Sequence, residues 1–226
     1  RTSRTGSTPV RLTTKVGTIV KLHSVMHPAA GGVLVTLALL TAVGPASAQQ
    51  EYRVDLTAER SVTFTSSASI EEFEGVTDRI DGMVRLDTSA LNAESGGDGT
   101  EFFFEVDLTS LDTGIGLRNR HMRDNYLEVK EHPFAAFGGR VARAAPLSDG
   151  AYRITVQGVF GVHGVEQDRA MTCDLSPVGA GYRVQCTFSV LLSDHDIEIP
   201  SVMFLKLNNE VQLNLDFRVI PVEREQ

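Results

Sequence analysis

The stretch Tyr182–Leu192, YRVQCTFSVLL, is the longest clean alternation of apolar and polar residues in the chain. Its inward candidates occupy every second position: Tyr182, Val184, Cys186, Phe188, Val190 and Leu192. This period of two predicts a β-strand that buries one face. The segment Val211–Val219 repeats the pattern, so we expect a second long strand near the C-terminus.

Shorter alternations of the same kind predict further strands earlier in the chain, before Tyr182. They lie at 52–57, 61–70, 80–86, 102–108, 137–141, 152–160 and 165–175. The polar segments 92–100 and 148–150 indicate connections between strands. Gly138 and Gly139 interrupt the 137–141 strand, where we expect a bulge or bend. About eight half-buried strands favour an all-β fold, either a single antiparallel barrel or a sandwich.

The predicted inner faces are rich in large apolar side chains. The candidates for an apolar interior are Phe64, Phe102, Phe104, Ile154, Val156, Phe160, Phe188, Val190, Leu213 and Leu215. Ser66, Ala68, Gly82 and Gly158 share these faces, and their small volumes would leave space opposite the aromatic rings. An eight-stranded barrel either fills with side chains or holds one small ligand, so a tunnel and a packed core both fit this pattern.

The segment Arg118–Phe137, RNRHMRDNYLEVKEHPFAAF, differs from the rest because it is crowded with charges and compatible with a helix. Met122, Tyr126, Leu127 and Val129 form a modest apolar stripe. Pro133 ends the helix, and the next strand should begin at Phe134. We expect a short helical lid that connects two strands.

The two cysteines, Cys173 and Cys186, flank a turn formed by Pro177, Gly179 and Gly181. Alternation points both thiols to the same side of a hairpin. In an exported protein this arrangement favours a cross-strand disulfide, whereas two buried free thiols are the alternative.

The N-terminal part has the pattern of a secretory signal. The apolar run 33–43 has 11 residues, too few for the roughly 20 of a membrane-spanning helix. It is followed by Gly44, Pro45 and the small-residue sequence 46–48. We expect cleavage after Ala48 and a mature domain at 49–226, with residues 1–25 an upstream extension and no stable membrane anchor.

Charge and motifs exclude several functions. Residues 49–226 contain 16 basic and 29 acidic residues, a net charge of −13, which argues against a nucleic-acid partner.

The chain lacks the common hydrolase, zinc-protease and phosphate-loop motifs, and its histidines at 121, 132, 163 and 195 lie in separate segments. We therefore expect neither an enzyme nor a cofactor. On a strand, Asp194, Asp196 and Glu198 would share one face, but an acidic solvent face explains them better than a metal site.

The lid segment also carries a family resemblance. Its matching residues are Arg118, His121, Met122, Arg123, Tyr126, Leu127, Val129, Pro133, Phe134 and Phe137. This pattern resembles the signature of the YceI-like proteins. It differs in two places: Tyr126 and Leu127 occupy the positions of an aromatic pair, and His132 replaces the tyrosine before the proline. Segments similar to the family's others occur in the same order at 52–55, 75–82, 158–165, 193–197 and 210–213.

The resemblance implies a lipocalin-like antiparallel barrel, exported to the periplasm or secreted, that holds a polyisoprenoid or isoprenoid-quinone chain. Met122 and Leu127 would complete the apolar tunnel. Arg118, His121, Arg123 and Tyr126 would meet a polar head group, or, alternatively, would bond to loop carbonyls and carboxylates. A ligand-free stress or interaction module with a packed barrel is the rival hypothesis, and a metal-dependent enzyme is a more distant one. Exposed Phe103 and Val159 suggest an apolar surface patch. A homodimer is a separate expectation.

Overall fold

The computed structural model describes residues 49–68, 72–87, 91, 100–202 and 205–223. The predicted signal sequence, Ile70 and the 92–99 part of the predicted polar connection lie outside these residues. The strands are β1 (Gln50–Val54), β2 (Ser61–Ser67), β3 (Glu72–Thr77), β4 (Ile80–Leu86), β5 (Glu101–Asp107), β6 (Phe134–Pro146), β7 (Tyr152–Val162), β8 (Val165–Val178), β9 (Gly181–Leu191), β10 (Ser201–Val202), β11 (Leu205–Lys206) and β12 (Glu210–Pro221).

Eight of these strands form a closed antiparallel barrel, as the sequence predicts. Around the barrel the order is β1, β4, β5, β6, β7, β8, β9 and β12, and β12 then pairs with β1. Closure decides between the two expected all-β folds, because a sandwich would leave two separate sheets. Within the described residues, no helix has the length and apolarity needed to span a membrane.

The strand β12 uses one edge for two partners. Its C-terminal end pairs with β1 through Val54 and Val219, and its N-terminal half pairs with β2 from Val211 to Asp216. The strands β2 and β3 form a two-stranded extension beside the barrel. A bridge between Val76 and Asp112 connects this extension to the segment that follows β5.

The predicted helical lid is present but short and irregular. Helix α1 spans Gly116–His121, and a wider π-helical turn continues it over Met122–Tyr126. In that turn the Leu127 amide donates to the Met122 carbonyl at 2.9 Å, one residue beyond the α-helical partner. The strand after Pro133 begins at Phe134, as predicted.

Two expectations about glycines are wrong. The register of β6 and β7 shifts between Val141 and Arg143, so the irregularity lies beyond Gly138 and Gly139. Gly82 and Gly158 do not open space inside the barrel either. A Cβ on Gly158 would lie 2.1 Å from the Gly138 carbonyl oxygen, and one on Gly82 would lie 2.5 Å from the Phe104 ring. These glycines allow close contact with neighbouring atoms instead.

Three exposed apolar side chains lie next to one another on the outer surface. Met83 pairs with Phe103 between β4 and β5, and Val159 lies beyond Gly138 on β7. Met83, Phe103 and Val159 are 44%, 48% and 40% exposed. Phe103 and Val159 thus belong to an apolar surface patch, as expected, and the homodimer remains a prediction.

Cys173 and Cys186 form a disulfide between β8 and β9, the pair predicted from the hairpin. The two residues are direct cross-strand partners, with a Cα–Cα distance of 4.3 Å. Both side chains are buried on the inner face of the barrel. The bond therefore ties two strands together from inside, in the half of the barrel away from the lid.

We predict that the double variant Cys173→Ala/Cys186→Ala loses about 3 kcal/mol of unfolding free energy, because a short loop closed by the disulfide becomes free in the unfolded chain. Urea unfolding followed by circular dichroism measures the change. Wild-type protein in reductant is the control, since it keeps the sulfur atoms but not the bond. Equal urea midpoints for oxidised and reduced wild type would contradict the prediction.

Candidate functional site

The barrel encloses an apolar cavity of about 720 Å³. Its walls include the twelve side chains that the sequence assigned to an apolar tunnel: Phe64, Phe102, Phe104, Met122, Leu127, Ile154, Val156, Phe160, Phe188, Val190, Leu213 and Leu215. A volume of this size lies within the range of ligand pockets for small organic molecules. The interior is therefore hollow, and the packed-core alternative does not describe this barrel.

Aromatic rings give the wall its shape. The ring centroids of Phe102 and Phe137 lie 5.0 Å apart, and those of Phe160 and Phe188, which meet edge to face, lie 5.9 Å apart. Rings in such arrangements hold one another in place, because edge and tilted contacts are favourable. Ser66 and Ala68 also line the cavity, so these two small residues leave space as expected.

The far end of the cavity, away from the lid, contains two tyrosines, one buried and one partly buried. Tyr52 and Tyr182 both line it, and their rings meet edge to face at 5.8 Å. Burial raises the pKa of both hydroxyls above the ordinary value, so they stay neutral under physiological conditions. Within the described part of the chain, no carboxylate lines the cavity. An uncharged ligand body fits such a wall better than an ionic one.

The lid end carries the polar part of the wall. Arg118, His121 and Tyr126 line the cavity there, together with Ile115 and Leu117. Ile115 and Leu117 are 52% and 61% exposed, so apolar side chains reach from the cavity wall to the surface. We define this rim as the mouth of the cavity. Among the described residues, it is the part of the wall where apolar lining meets a cationic side chain, that of Arg118.

Two of the three lid arginines, Arg118 and Arg123, bond to loop carbonyls, the alternative that sequence analysis left open for them. The Arg118 guanidinium donates to the Thr113 carbonyl at 2.7 Å and also lies over the Phe73 ring at 4.2 Å. Arg123 donates to the Leu111 carbonyl at 3.0 Å and does not line the cavity. The lid is therefore attached to the segment after β5 through its own cations.

A second set of hydrogen bonds fixes the start of α1. The Asn119 side-chain oxygen accepts from the amide and the hydroxyl of Thr113, at 2.8 and 2.6 Å. Its amide nitrogen donates to Asp112 at 2.7 Å. This bond, together with one from the Gly114 amide, lowers the pKa of Asp112 below its ordinary value. Asn119 thus joins the helix to the loop on which it rests.

The histidines are closer together than their sequence positions indicate. The His132 and His163 rings lie 5.3 Å apart, and the ring of His163 bonds to the His195 carbonyl. This group lies outside the cavity wall, so only His121 among the four histidines lines the cavity. The segment 192–195 is a 3₁₀ turn, so Asp194, Asp196 and Glu198 are not on one strand face. Asp194 instead pairs with Arg169 at 2.8 Å.

Sequence analysis did not identify Ile115 and Leu117 as part of the site. They precede the charged lid motif and belong to no alternating strand, so no periodic pattern marks them. The one available signal was two large apolar residues, each preceded by a glycine, at the start of the helix. Only the folded lid brings them to the edge of the cavity.

Comparisons with known proteins agree on the fold. The model of the YceI-like domain family matches residues 52–219. No protein of curated function matches the chain. The crystal structure of Burkholderia cenocepacia BcnA is 18% identical, with a TM-score of 0.59, over 73% of this chain and 98% of that one. A polyisoprenoid binding domain from Saccharophagus degradans, implicated in plant cell wall breakdown, is also 18% identical with a TM-score of 0.59, over 77% and 100%. The Campylobacter jejuni YceI protein is 13% identical with a TM-score of 0.53, over 69% and 88%.

We predict that Asn119→Ala loosens the lid. The substitution removes the acceptor of two Thr113 donors and the donor to Asp112, at a cost of about 1–3 kcal/mol. The better helix propensity of alanine offsets only a few tenths of that. Hydrogen exchange of residues 113–126 should become faster while the barrel strands are unchanged. Arg120→Ala, an exposed change on the same helix, is the control, and unchanged exchange in Asn119→Ala would contradict the role of this bond.

Proposed function

Because the chain belongs to the YceI-like family, we propose that its barrel holds one long polyisoprenoid or isoprenoid-quinone-like chain, and that the protein carries or sequesters this lipid after export. The hollow barrel is the observation that carries the proposal. Its wall is apolar along nearly its whole length, from the mouth to Tyr52 and Tyr182. A saturated or isoprenoid tail needs nothing else from its binding site.

The driving force for such binding is burial of apolar surface. Each Å² that the ligand removes from water contributes about 25 cal/mol. A preformed, rigid wall limits the entropy lost on binding, because the protein does not have to order itself around the ligand. A flexible chain still loses its own freedom, so an isoprenoid tail, with one double bond in every unit, loses less than a saturated tail of the same length.

The mouth defines how the ligand would lie. A polar head group would remain there, beside His121 and Tyr126, with the Arg118 guanidinium at the same rim. Arg123 is not part of this proposal, since it contacts the Leu111 carbonyl away from the wall. The tail would extend past Phe160 and Phe188 toward the disulfide. The Saccharophagus degradans domain, which shares the fold and is described as polyisoprenoid binding, supports this class of ligand.

Binding without catalysis suits the chemistry of the wall. General acid and base catalysis needs positioned ionisable groups beside the reacting atoms. Among the described residues, the cavity wall has no carboxylate, and its one histidine, His121, lies at the mouth. Export through the predicted signal sequence, and hence a periplasmic or secreted location, belongs to the same proposal because a carrier of membrane lipids would work beside a membrane.

We predict that Phe188→Arg abolishes lipid retention, since Phe188 lies on the cavity wall against Phe160 and a buried unpaired guanidinium is strongly unfavourable. Lipid extracted from the purified protein measures retention. Ser189→Arg is the matched control, because the neighbouring side chain is exposed. The amount of exported protein should be the same for both variants. Full lipid content in Phe188→Arg would place the ligand outside the barrel.

Native mass spectrometry of the protein from the exported fraction tests the function directly. We expect one bound polyprenyl or quinone species per chain, identified after extraction with organic solvent. Protein without bound lipid, even after incubation with candidate isoprenoids, would contradict the carrier function. Recovery of the uncleaved chain from the cytoplasm would contradict export.

A further inference from the structure

The end of the lid carries a cluster of three possible metal ligands, and a histidine of the β7–β8 hairpin lies beside one of them. Glu128, Glu131 and His132 belong to the turn between the π-helical segment and Pro133. His163 occupies the hairpin turn together with Gly164. The cluster lies outside the cavity wall, and neither the lipid-binding proposal nor the fold explains it.

The turn of the lid places three of these groups on one side. The Glu128 carbonyl accepts from the amides of Glu131 and His132 at 2.8 and 2.9 Å, which closes a single helical turn. Residues three and four positions apart face the same way in such a turn. One ligand atom from each of Glu128, Glu131 and His132 lies within 4.8 Å of the others.

The hairpin supplies the fourth group in a defined orientation. His163 and Gly164 both have positive φ, of 54° and 75°, as a two-residue hairpin turn requires. Gly164 also makes room for the lid, because a Cβ at this position would lie 2.7 Å from the His132 ring. The two segments can therefore approach each other closely only with glycine at 164.

The His163 ring presents its Nε2 atom as an acceptor. Its Nδ1 lies 3.1 Å from the His195 carbonyl oxygen, and since a carbonyl only accepts, Nδ1 carries the proton. In the neutral ring, Nε2 then has a lone pair. That atom is buried, makes no hydrogen bond within the described residues, and lies 3.4 Å from the Glu128 Oε2 atom. When Nε2 carries no proton, two electron-rich atoms face each other across this gap, and either a proton or a metal cation can lie between them.

A metal cation between His163 Nε2 and Glu128 Oε2 would be bound by both atoms. Ligands at about 2.0–2.1 Å from a tetrahedral Zn²⁺ are about 3.3 Å apart, which matches the distance between Nε2 and Oε2. A histidine that binds a metal usually donates its other ring proton to a carbonyl or carboxylate, as His163 does to His195. Two imidazoles with carboxylates suit first-row transition cations, whereas Ca²⁺ and Mg²⁺ prefer oxygen ligands alone.

We propose that Glu128, Glu131, His132 and His163 bind one divalent transition cation of the Zn²⁺ class, which fastens the end of the lid to the β7–β8 hairpin. Leu127, next to Glu128, lines the cavity, and Val129 on the other side is buried. A bound cation would therefore hold the wall of the cavity at its mouth. The site does not require that the barrel binds a lipid, so either proposal can fail alone.

Calorimetric titration with ZnCl₂ tests the site on untagged protein purified from the exported fraction and treated with a chelator. We expect one Zn²⁺ per chain, and a dissociation constant raised about tenfold or more in Glu128→Gln and in His163→Gln. Asp124→Asn is the matched control. It removes a carboxylate from the same lid that pairs with Lys130 at 3.8 Å, and its affinity should equal that of wild type.

The visible absorption of Co²⁺ bound at the same site provides a second measurement. Intense bands, as tetrahedral Co²⁺ gives, are expected in wild type and should be lost in His163→Gln. If His163→Gln does not fold, Glu128→Gln decides the question alone, because the Glu128 side chain is half exposed. No heat of binding in wild type, or equal Zn²⁺ affinity in wild type, Glu128→Gln and Asp124→Asn, would overturn the proposal.

Discussion

The hydrogen bonds along one edge of β12 are the constraint on which the rest of the structure depends. The C-terminal end of this edge pairs with β1 and closes the barrel, and the N-terminal part pairs with β2. A closed barrel leaves no strand edge free at that seam, and it encloses a volume that an open sheet would expose. The cavity therefore exists because one long strand is shared by two shorter ones.

The extension formed by β2 and β3 also determines how the lid is attached. It brings Val76 to Asp112 and Phe73 to Arg118, at the start of the helical segment. The lid rests on these contacts and on bonds from Asn119, Arg118 and Arg123 to the loop after β5. The barrel is held by continuous ladders and a disulfide, whereas the lid is held by a few polar bonds near solvent. Opening at the lid should thus cost far less free energy than opening the barrel.

The apolar wall was predictable because alternation is a local property. Successive side chains of a strand point to opposite faces, so the face of a residue follows from its odd or even position, its parity. Phe64, Phe188 and Leu213 could therefore be assigned to one interior from the sequence alone. The same argument failed for Gly82 and Gly158, since parity gives a direction but not the distance to neighbouring backbone. It also failed for the 192–198 segment, where a 3₁₀ turn replaces the strand. The mouth residues Ile115 and Leu117 have no periodic context and could not be found this way.

By itself, the sequence determined the all-β class, the inner faces, the cysteine pair and the position of the lid, because period, turn residues and Pro133 act over a few residues. Tertiary structure decided that the sheet closes, that its interior is hollow, and that Arg118 and Arg123 bond to loop carbonyls. It also brought His163 to Glu128 from segments 35 residues apart. These features depend on distances between segments far apart in the chain, and local patterns contain no information about such distances.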